Sequence, residues 1–278
     1  MIPRILALDL DGTTVDRARA LRGVDRRAAH ALAAEGVIVT INTGRLYSGT
    51  RAIARKLGVE GVVGCMNGAH LVDTRTDEAV HAHPLNRETL VAVKQTLREG
   101  GLTPYLFARD GIHYDERGAT YTMQMRSWSA ALYGHECLYA GRWWDGSRGV
   151  FAVGATGRES AVLRAVERIR AQLPSLKLMH FASGRGDFWY LEVKDGREDK
   201  GTALERIAAL HGLDASDCVA VGDWYNDAPA LERAGLSFAM GHAPADLRAL
   251  CDHTLEATHD TGGAVAEVAR RVWNLSVT

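Results

Sequence analysis

Along the chain, short unbroken apolar runs that stop at acids or glycine alternate with stretches in which apolar residues recur every three to four positions. The first run, Ile5-Leu6-Ala7-Leu8, has the texture of a strand covered on both faces, and it ends in Asp9-Leu10-Asp11-Gly12. Asp25 to Glu35 then places Ala28, Ala29, Leu32 and Ala33 on one helical face and closes at Gly36. Val37 to Asn42 is a second, β-branched run, which stops at Thr43-Gly44-Arg45 before a helix reaching about Leu57. A third strand, Val62 to Met66, meets the turn signal Asn67-Gly68 and continues into Ala69 to Val72. Strand and helix alternating in this way predict an α/β fold with a doubly wound, Rossmann-like parallel sheet.

From about His83 the texture changes. Asn86 to Glu99 is helical with Leu90, Val93 and Leu97 inward, and Thr103 to Phe107 and Ile112 to Tyr114 flank Asp110-Gly111 as a hairpin. Phe151 to Val153, Leu176 to Phe181 and Phe188 to Val193 read as strands, and Glu159 to Leu173 as an amphipathic helix ended by Pro174. The mixture predicts an inserted α+β domain over 84–186, between two segments, 1–83 and 187–278, that form the core. Within the insert, Trp128, Tyr133, Trp143 and Trp144 read as packing residues. His81, His83 and His135-Glu136 lack metalloprotease spacing and read as structural or surface residues.

The alternating pattern then resumes. A helix from Lys200 to about His211 precedes the strand Cys218 to Val221, which runs into Gly222-Asp223-Trp224-Tyr225-Asn226-Asp227. Leu236 to Met240, a helix to Leu250, His253 to Leu255 and a helix from Gly263 to Trp273 complete the pattern.

Charge narrows the partners. With 33 basic and 34 acidic residues the net charge is -1, so no global field draws in nucleic acid or a membrane surface, and a small-molecule partner is expected. No stretch approaches the ~18 apolar residues of a membrane span. The chain enters its first strand without a signal peptide, so a cytoplasmic location is expected. The four cysteines are scattered and form no C-x-x-C pair, which indicates neither a zinc site nor a disulfide framework.

Ligands of open α/β sheets bind at the carboxyl ends of the strands. Asp9 with Asp11, Thr43 with Gly44, Lys200, and Asp223 with Asp227 all stand at strand or helix ends. Carboxylates from two strands suit Mg2+, a hard cation that takes one or two protein carboxylates and keeps several waters and substrate oxygens. Hydroxyl, backbone N–H and ammonium donors suit phosphate. No Gly-x-x-x-x-Gly-Lys-Ser/Thr loop occurs, which excludes a P-loop. Singly, each residue has a bland reading: an Asp-Gly turn, a solvated lysine, a helix cap. Their combination points to phosphoryl transfer.

These residues resemble the haloacid dehalogenase-like (HAD) superfamily, whose four motifs match Asp9-Leu10-Asp11-Gly12-Thr13, Thr43-Gly44-Arg45, Lys200-Gly201 and Gly222-Asp223-Trp224-Tyr225-Asn226-Asp227 in order. The long insert between the second and third motifs looks like the large α/β cap of the Cof-type, subclass IIB sugar phosphatases. Asn67-Gly68-Ala69, Lys200-Gly201-Thr202-Ala203-Leu204 and Met240-Gly241-His242-Ala243 agree with that subgroup. Thr14 stands where the subgroup more often has Leu, and His242 where Asn is usual.

The resemblance implies a Mg2+-dependent phosphatase acting on a small phosphorylated metabolite, by default a sugar phosphate. Asp9 would be the nucleophile, forming an aspartyl-phosphate, and Asp11 the general acid and then base. Asp9, the Asp11 backbone carbonyl and Asp223 would hold Mg2+, and Thr43, the Gly44 N–H and Lys200 would bind the phosphoryl oxygens. Asp227 would orient Lys200 or a metal-bound water, and Asn226 a neighbouring polar group. Arg45 and Asn67 are candidate substrate contacts. So is Arg185, in the loop Ser183-Gly184-Arg185 of the insert, where specificity would lie. A phosphomutase of the same superfamily and a catalytically inactive metabolite-binding regulator share the core motifs and stay open.

Overall fold

In the computed structural model, residues 3–16, 20–182 and 188–277 are described. They fall into two compact units.

The first unit comprises 1–45, 50–82 and 198–278. Its main sheet is five-stranded and parallel, in the order His253–Thr254, Leu236–Ala239, Cys218–Gly222, Ile5–Leu8, Ile38–Ile41. Ile5, Leu6 and Leu8 are fully buried, each side chain contributing roughly 1.5–3 kcal/mol on leaving water. On one face Ile5, Ala7, Cys218 and Ala220 pack with Leu204 and Ala208 of the helix Lys200–Leu210 and with Leu231 and Leu247. The chain leaves Ile5–Leu8 toward Ile38–Ile41 on one side and returns to its other side with Cys218–Gly222. That reversal of strand order is where such sheets open a crevice for ligands. A smaller antiparallel sheet, Val62–Cys65, His70–Asp73 and Glu78–Ala82, belongs to the same unit.

A long-range cap ties the end of this unit to its beginning. The buried Asp25 carboxylate accepts the backbone N–H groups of Gly263 and Val265 at 2.8 Å and Ala266 at 3.2 Å, at the start of the helix Ala264–Trp273. Burial raises the Asp25 pKa, against the lowering effect of these three donors.

The second unit comprises 46–49 and 83–197. Its six-stranded sheet runs Leu176–Ala182, Phe188–Asp195, Val150–Arg158, Thr103–Ala108, Gly111–Asp115, Leu132–His135, with only the last pair parallel among the described strands. Leu90, Val93 and Leu97 of the helix Arg87–Glu99 and Val162, Val166 and Ile169 of the helix Glu159–Gln172 pack in one core with Leu106, Val153 and Leu191. The boundary differs from the expected 186. Phe188–Asp195 pairs with strands of the insert on both sides, so the second unit continues to Arg197. The four aromatic residues do not form one cluster: Trp144 is buried in this core, Tyr133 stacks on His113 with Trp143 tilted against the same ring, and Trp128 lies 5.9 Å from both Phe107 and Tyr190. Among the described residues no helix is long and apolar enough to cross a membrane.

Candidate active site

The loop after the first strand curls tightly around one carbonyl: the N–H groups of Thr13, Thr14 and Val15 all donate to the Leu10 oxygen, at 3.2, 3.0 and 2.9 Å. The turn needs a positive φ, which Gly12 supplies at +84°. A side chain at Gly12 would also collide with the Asp223 carboxylate. Asp9, held through its N–H to the Val221 carbonyl and through its own carbonyl to Thr14 Oγ1, presents a buried carboxylate at the reversal point.

A second loop meets it there. At the end of Cys218–Gly222, Asp227 folds back so that its Oδ2 accepts the N–H groups of Asp223 at 2.9 Å and Trp224 at 3.0 Å. Gly222 leaves the room for this, since a Cβ there would strike the Asp227 side chain. The other oxygen, Oδ1, accepts from Lys200 Nζ at 2.5 Å, and the same ammonium donates to Asp9 Oδ1 at 2.5 Å. Lys200 opens the helix Lys200–Leu210, whose start is fixed by a reciprocal cap between Asp199 and Thr202 and by Asn42 Nδ2 donating to the Lys200 carbonyl at 2.6 Å.

The electrostatics of this cluster are unbalanced. Burial alone lowers the Lys200 pKa, but the Asp227 and Asp9 carboxylates outweigh it and hold the ammonium above the usual lysine range. Burial raises the Asp9 pKa well above the ordinary carboxylate value, with Lys200 opposing. Burial, and then the Asp227 charge, push Asp223 up to about 7. Oxygens of Asp9, Asp223 and Asp227 lie within 4.8 Å of one another. One ammonium facing three carboxylates leaves a deficit of positive charge, which a divalent cation would fill, and hard oxygen donors suit Mg2+. Asp227 is held by short bonds, 2.5 Å from Lys200 and 2.9 and 3.0 Å from two backbone N–H groups, whereas the Thr13 and His242 contacts to Asp223 are longer, at 3.3 Å, and Lys200 meets Asp9 through Oδ1, so Asp9 and Asp223 are the residues that best fit such an ion.

The remaining motif residues form a rim. Thr43 donates its N–H to the Gly64 carbonyl and accepts through its carbonyl from Asn67 N, while Met66 N donates to the Arg45 carbonyl at 2.9 Å. Met66 and Asn67 both adopt φ of 51°, a conformation costly for residues with a Cβ, and these hydrogen bonds hold them in it. Asn67 Oδ1 accepts from Asn226 Nδ2 at 2.9 Å, so Asn67, bonded through its N–H to Thr43, ties the second motif to the fourth. Thr43 Oγ1 accepts the Arg45 N–H at 3.3 Å. The Arg45 guanidinium forms a two-point pair with Asp11. Asp9, Thr43, Gly44, Arg45, Asn67, Lys200, Asp223, Asn226 and Asp227 are thus linked, and Asp11 joins them through Arg45. Arg185 lies outside the described residues.

Three contributors escaped the sequence reading. Asn42 anchors Lys200, Thr13 Oγ1 donates to Asp223 Oδ1 at 3.3 Å, and His242 Nε2 lies 3.3 Å from Asp223 Oδ2. Thr13 carried a signal as the last residue of the first motif and His242 as a departure from the subgroup's usual residue, whereas Asn42 carried none.

Residues 6–268 match the haloacid dehalogenase-like hydrolase family. The chain belongs to that family. It is 27% identical over 250 residues to an HMP-PP phosphatase of Yersinia pseudotuberculosis, covering 88% of this chain and 86% of that one. An HMP-PP phosphatase of Yersinia enterocolitica is 26% identical over 254 residues, with the same coverage. Among solved structures, a haloacid dehalogenase-like hydrolase from Bacteroides thetaiotaomicron superposes with a TM-score of 0.83 at 20% identity, over 97% of this chain and 99% of that one. A sugar phosphatase of HAD subclass IIB superposes with a TM-score of 0.77 at 17% identity, over 98% and 99%. At such identities the structural likeness speaks for the fold.

Proposed function

We propose that this protein is a Mg2+-dependent phosphomonoester hydrolase acting on a small phosphorylated metabolite through a phosphoryl group carried on Asp9. The observation that carries the reading is the buried Lys200 ammonium shared between Asp9 and Asp227 at 2.5 Å, beside the Asp223 carboxylate. A solvated lysine or a plain turn has no reason to assemble that cluster.

An Asp9 oxygen attacks phosphorus as the bond from phosphorus to the leaving oxygen breaks, and Asp11 delivers a proton to that oxygen. Water then attacks the aspartyl-phosphate, Asp11 accepts its proton, and Asp9 and inorganic phosphate separate. Lys200 holds Asp9 in place and, with the Thr43 hydroxyl and the Gly44 N–H, stabilises charge on the phosphoryl oxygens. Asp227 positions Lys200, and Asn226 braces Asn67. Asp9 and Asp223 would hold Mg2+, which neutralises charge on the phosphoryl group when bound.

The substrate is sought with the purified protein and Mg2+ against a panel led by HMP-PP, the compound in the names of the curated relatives, and by hexose phosphates. Release of inorganic phosphate that stops with excess chelator is expected. Transfer of the phosphoryl group to a second sugar hydroxyl without phosphate release would contradict hydrolysis. Binding without any turnover would contradict catalysis altogether.

A further inference from the structure

His242 follows the strand Leu236–Ala239, and its ring connects two loops at the same end of the sheet as Asp9. Nδ1 accepts the His259 backbone N–H at 3.2 Å, and Nε2 lies 3.3 Å from Asp223 Oδ2. Because the Nδ1 lone pair is engaged, the ring proton of the neutral imidazole sits on Nε2 and is donated to the carboxylate.

The His259 N–H is itself fixed. Glu267 accepts the N–H groups of Glu256 and Ala257 at 3.0 Å each, and Gly241 N donates to the Ala257 carbonyl at 2.9 Å. The His259 ring stands edge-on to His242, with centroids 4.0 Å apart. On the other side of the carboxylate, Thr13 Oγ1 reaches Asp223 Oδ1 at 3.3 Å. Asp223 is therefore oriented through both of its oxygens.

We infer that His242 is a positioning residue for a divalent cation at Asp223, setting the rotation of that carboxylate through its Nε2–H. The inference rests on the proposed reading of Asp223 as a cation ligand. A neutral donor locked in one tautomer can orient a ligand carboxylate without bringing in a positive charge that would compete with the cation. Loss of such an outer hydrogen bond typically weakens metal binding by about 10- to 100-fold.

Calorimetric titration of the metal-free protein with Mg2+ tests this without reference to turnover. His242→Gln places an amide N–H near the position of Nε2, whereas His242→Phe keeps a ring against His259 but has no donor, and His242→Ala has neither. Weakening of about tenfold or more in the Phe and Ala variants, with the Gln variant within about threefold of wild type, is the expected pattern. Wild-type affinity in the Phe variant, or a Gln variant as weak as Ala, overturns the hydrogen-bond role. Asp223→Asn separates the two levels: its loss of Mg2+ binding beside an unaffected His242→Phe defeats this inference alone. Wild-type binding in Asp223→Asn, or no Mg2+ binding by the wild type, defeats the cation-site reading beneath it.

Discussion

Arg45 grips both carboxylate oxygens of Asp11, Nε to Oδ2 at 2.7 Å and Nη2 to Oδ1 at 2.5 Å. The arginine side chain is 5% exposed and the Asp11 side chain 45%, so the cation is the fixed member of the pair and the acid the movable one. A guanidinium fork fixes a carboxylate at two points, which a lysine ammonium cannot do. In the proposed reaction Arg45 therefore sets the direction in which Asp11 faces the leaving oxygen.

Arg45→Lys is accordingly expected to lower kcat by roughly tenfold or more while KM moves about twofold or less, since the charge remains but the orientation of the acid is lost. Steady-state kinetics on the best substrate check this. An unchanged kcat would show that Asp11 finds its position without Arg45.

Lys200→Met should destabilise the metal-free protein. It leaves the buried Asp9 and Asp227 carboxylates facing each other, and removing one partner of a buried ion pair costs about 3–5 kcal/mol. Urea unfolding in chelator should show a much lower midpoint, and adding Asp227→Asn should recover part of the loss. A midpoint equal to wild type would contradict the electrostatic description of the site.

Asp223, at about 7 in the folded chain against ~3.9 for an unfolded aspartate, has a raised pKa, as does Asp9. The folded metal-free protein therefore holds more protons than the unfolded chain between about pH 4 and pH 7. This stabilisation is complete below about pH 4 and is lost as pH rises through about 7. Mg2+ competes with the same protons, so the Tm gain from added Mg2+ should be small near about pH 5.5 and larger near about pH 8. Thermal melts across that range, with and without Mg2+, check the sign, and a gain that shrinks with rising pH would contradict it.

Asp25→Ala should cost stability and spare catalysis. Three N–H donors at the start of Ala264–Trp273 lose their acceptor, which amounts to a helix cap worth about 1–2 kcal/mol, away from the catalytic cluster. A fall in kcat equal to that of the Arg45 variant would place Asp25 in the catalytic apparatus instead.

Much of the core was legible because its signals are local. An apolar run that stops abruptly at acids or Thr-Gly marks both a buried strand and the end at which ligands collect, as Ile5–Leu8 and Cys218–Gly222 illustrate. What escaped depends on contacts far along the chain. Asp25 sits on one helix and caps another 238 residues away, and nothing in its own neighbourhood foretells that. Phe188–Asp195 shows a strand pattern, but alternation tells which face is buried and not which sheet the strand joins, so nothing local shows that it pairs with Val150–Arg158. Glu78–Ala82 and Leu132–His135 are half-exposed strands with weak apolar character, stabilised by pairing rather than by burial. The motif residues were found, but their mutual roles, such as Arg45 on Asp11 and Asn67 on Asn226, required the folded loops.

The most direct measurement exploits the two jobs proposed for Asp11. A sugar alkoxide leaves poorly without a proton, whereas p-nitrophenolate, a far weaker base, departs almost unaided; hydrolysis of the aspartyl-phosphate needs the base with either substrate. Rapid mixing of Asp11→Ala with p-nitrophenyl phosphate and Mg2+ is therefore predicted to give a burst of about one p-nitrophenolate per site followed by a slow steady rate, with no burst in Asp9→Asn. Equal losses of Asp11→Ala on aryl and sugar phosphates with no burst, or a burst that persists in Asp9→Asn, would contradict the assignment of Asp9 as nucleophile and Asp11 as acid and base.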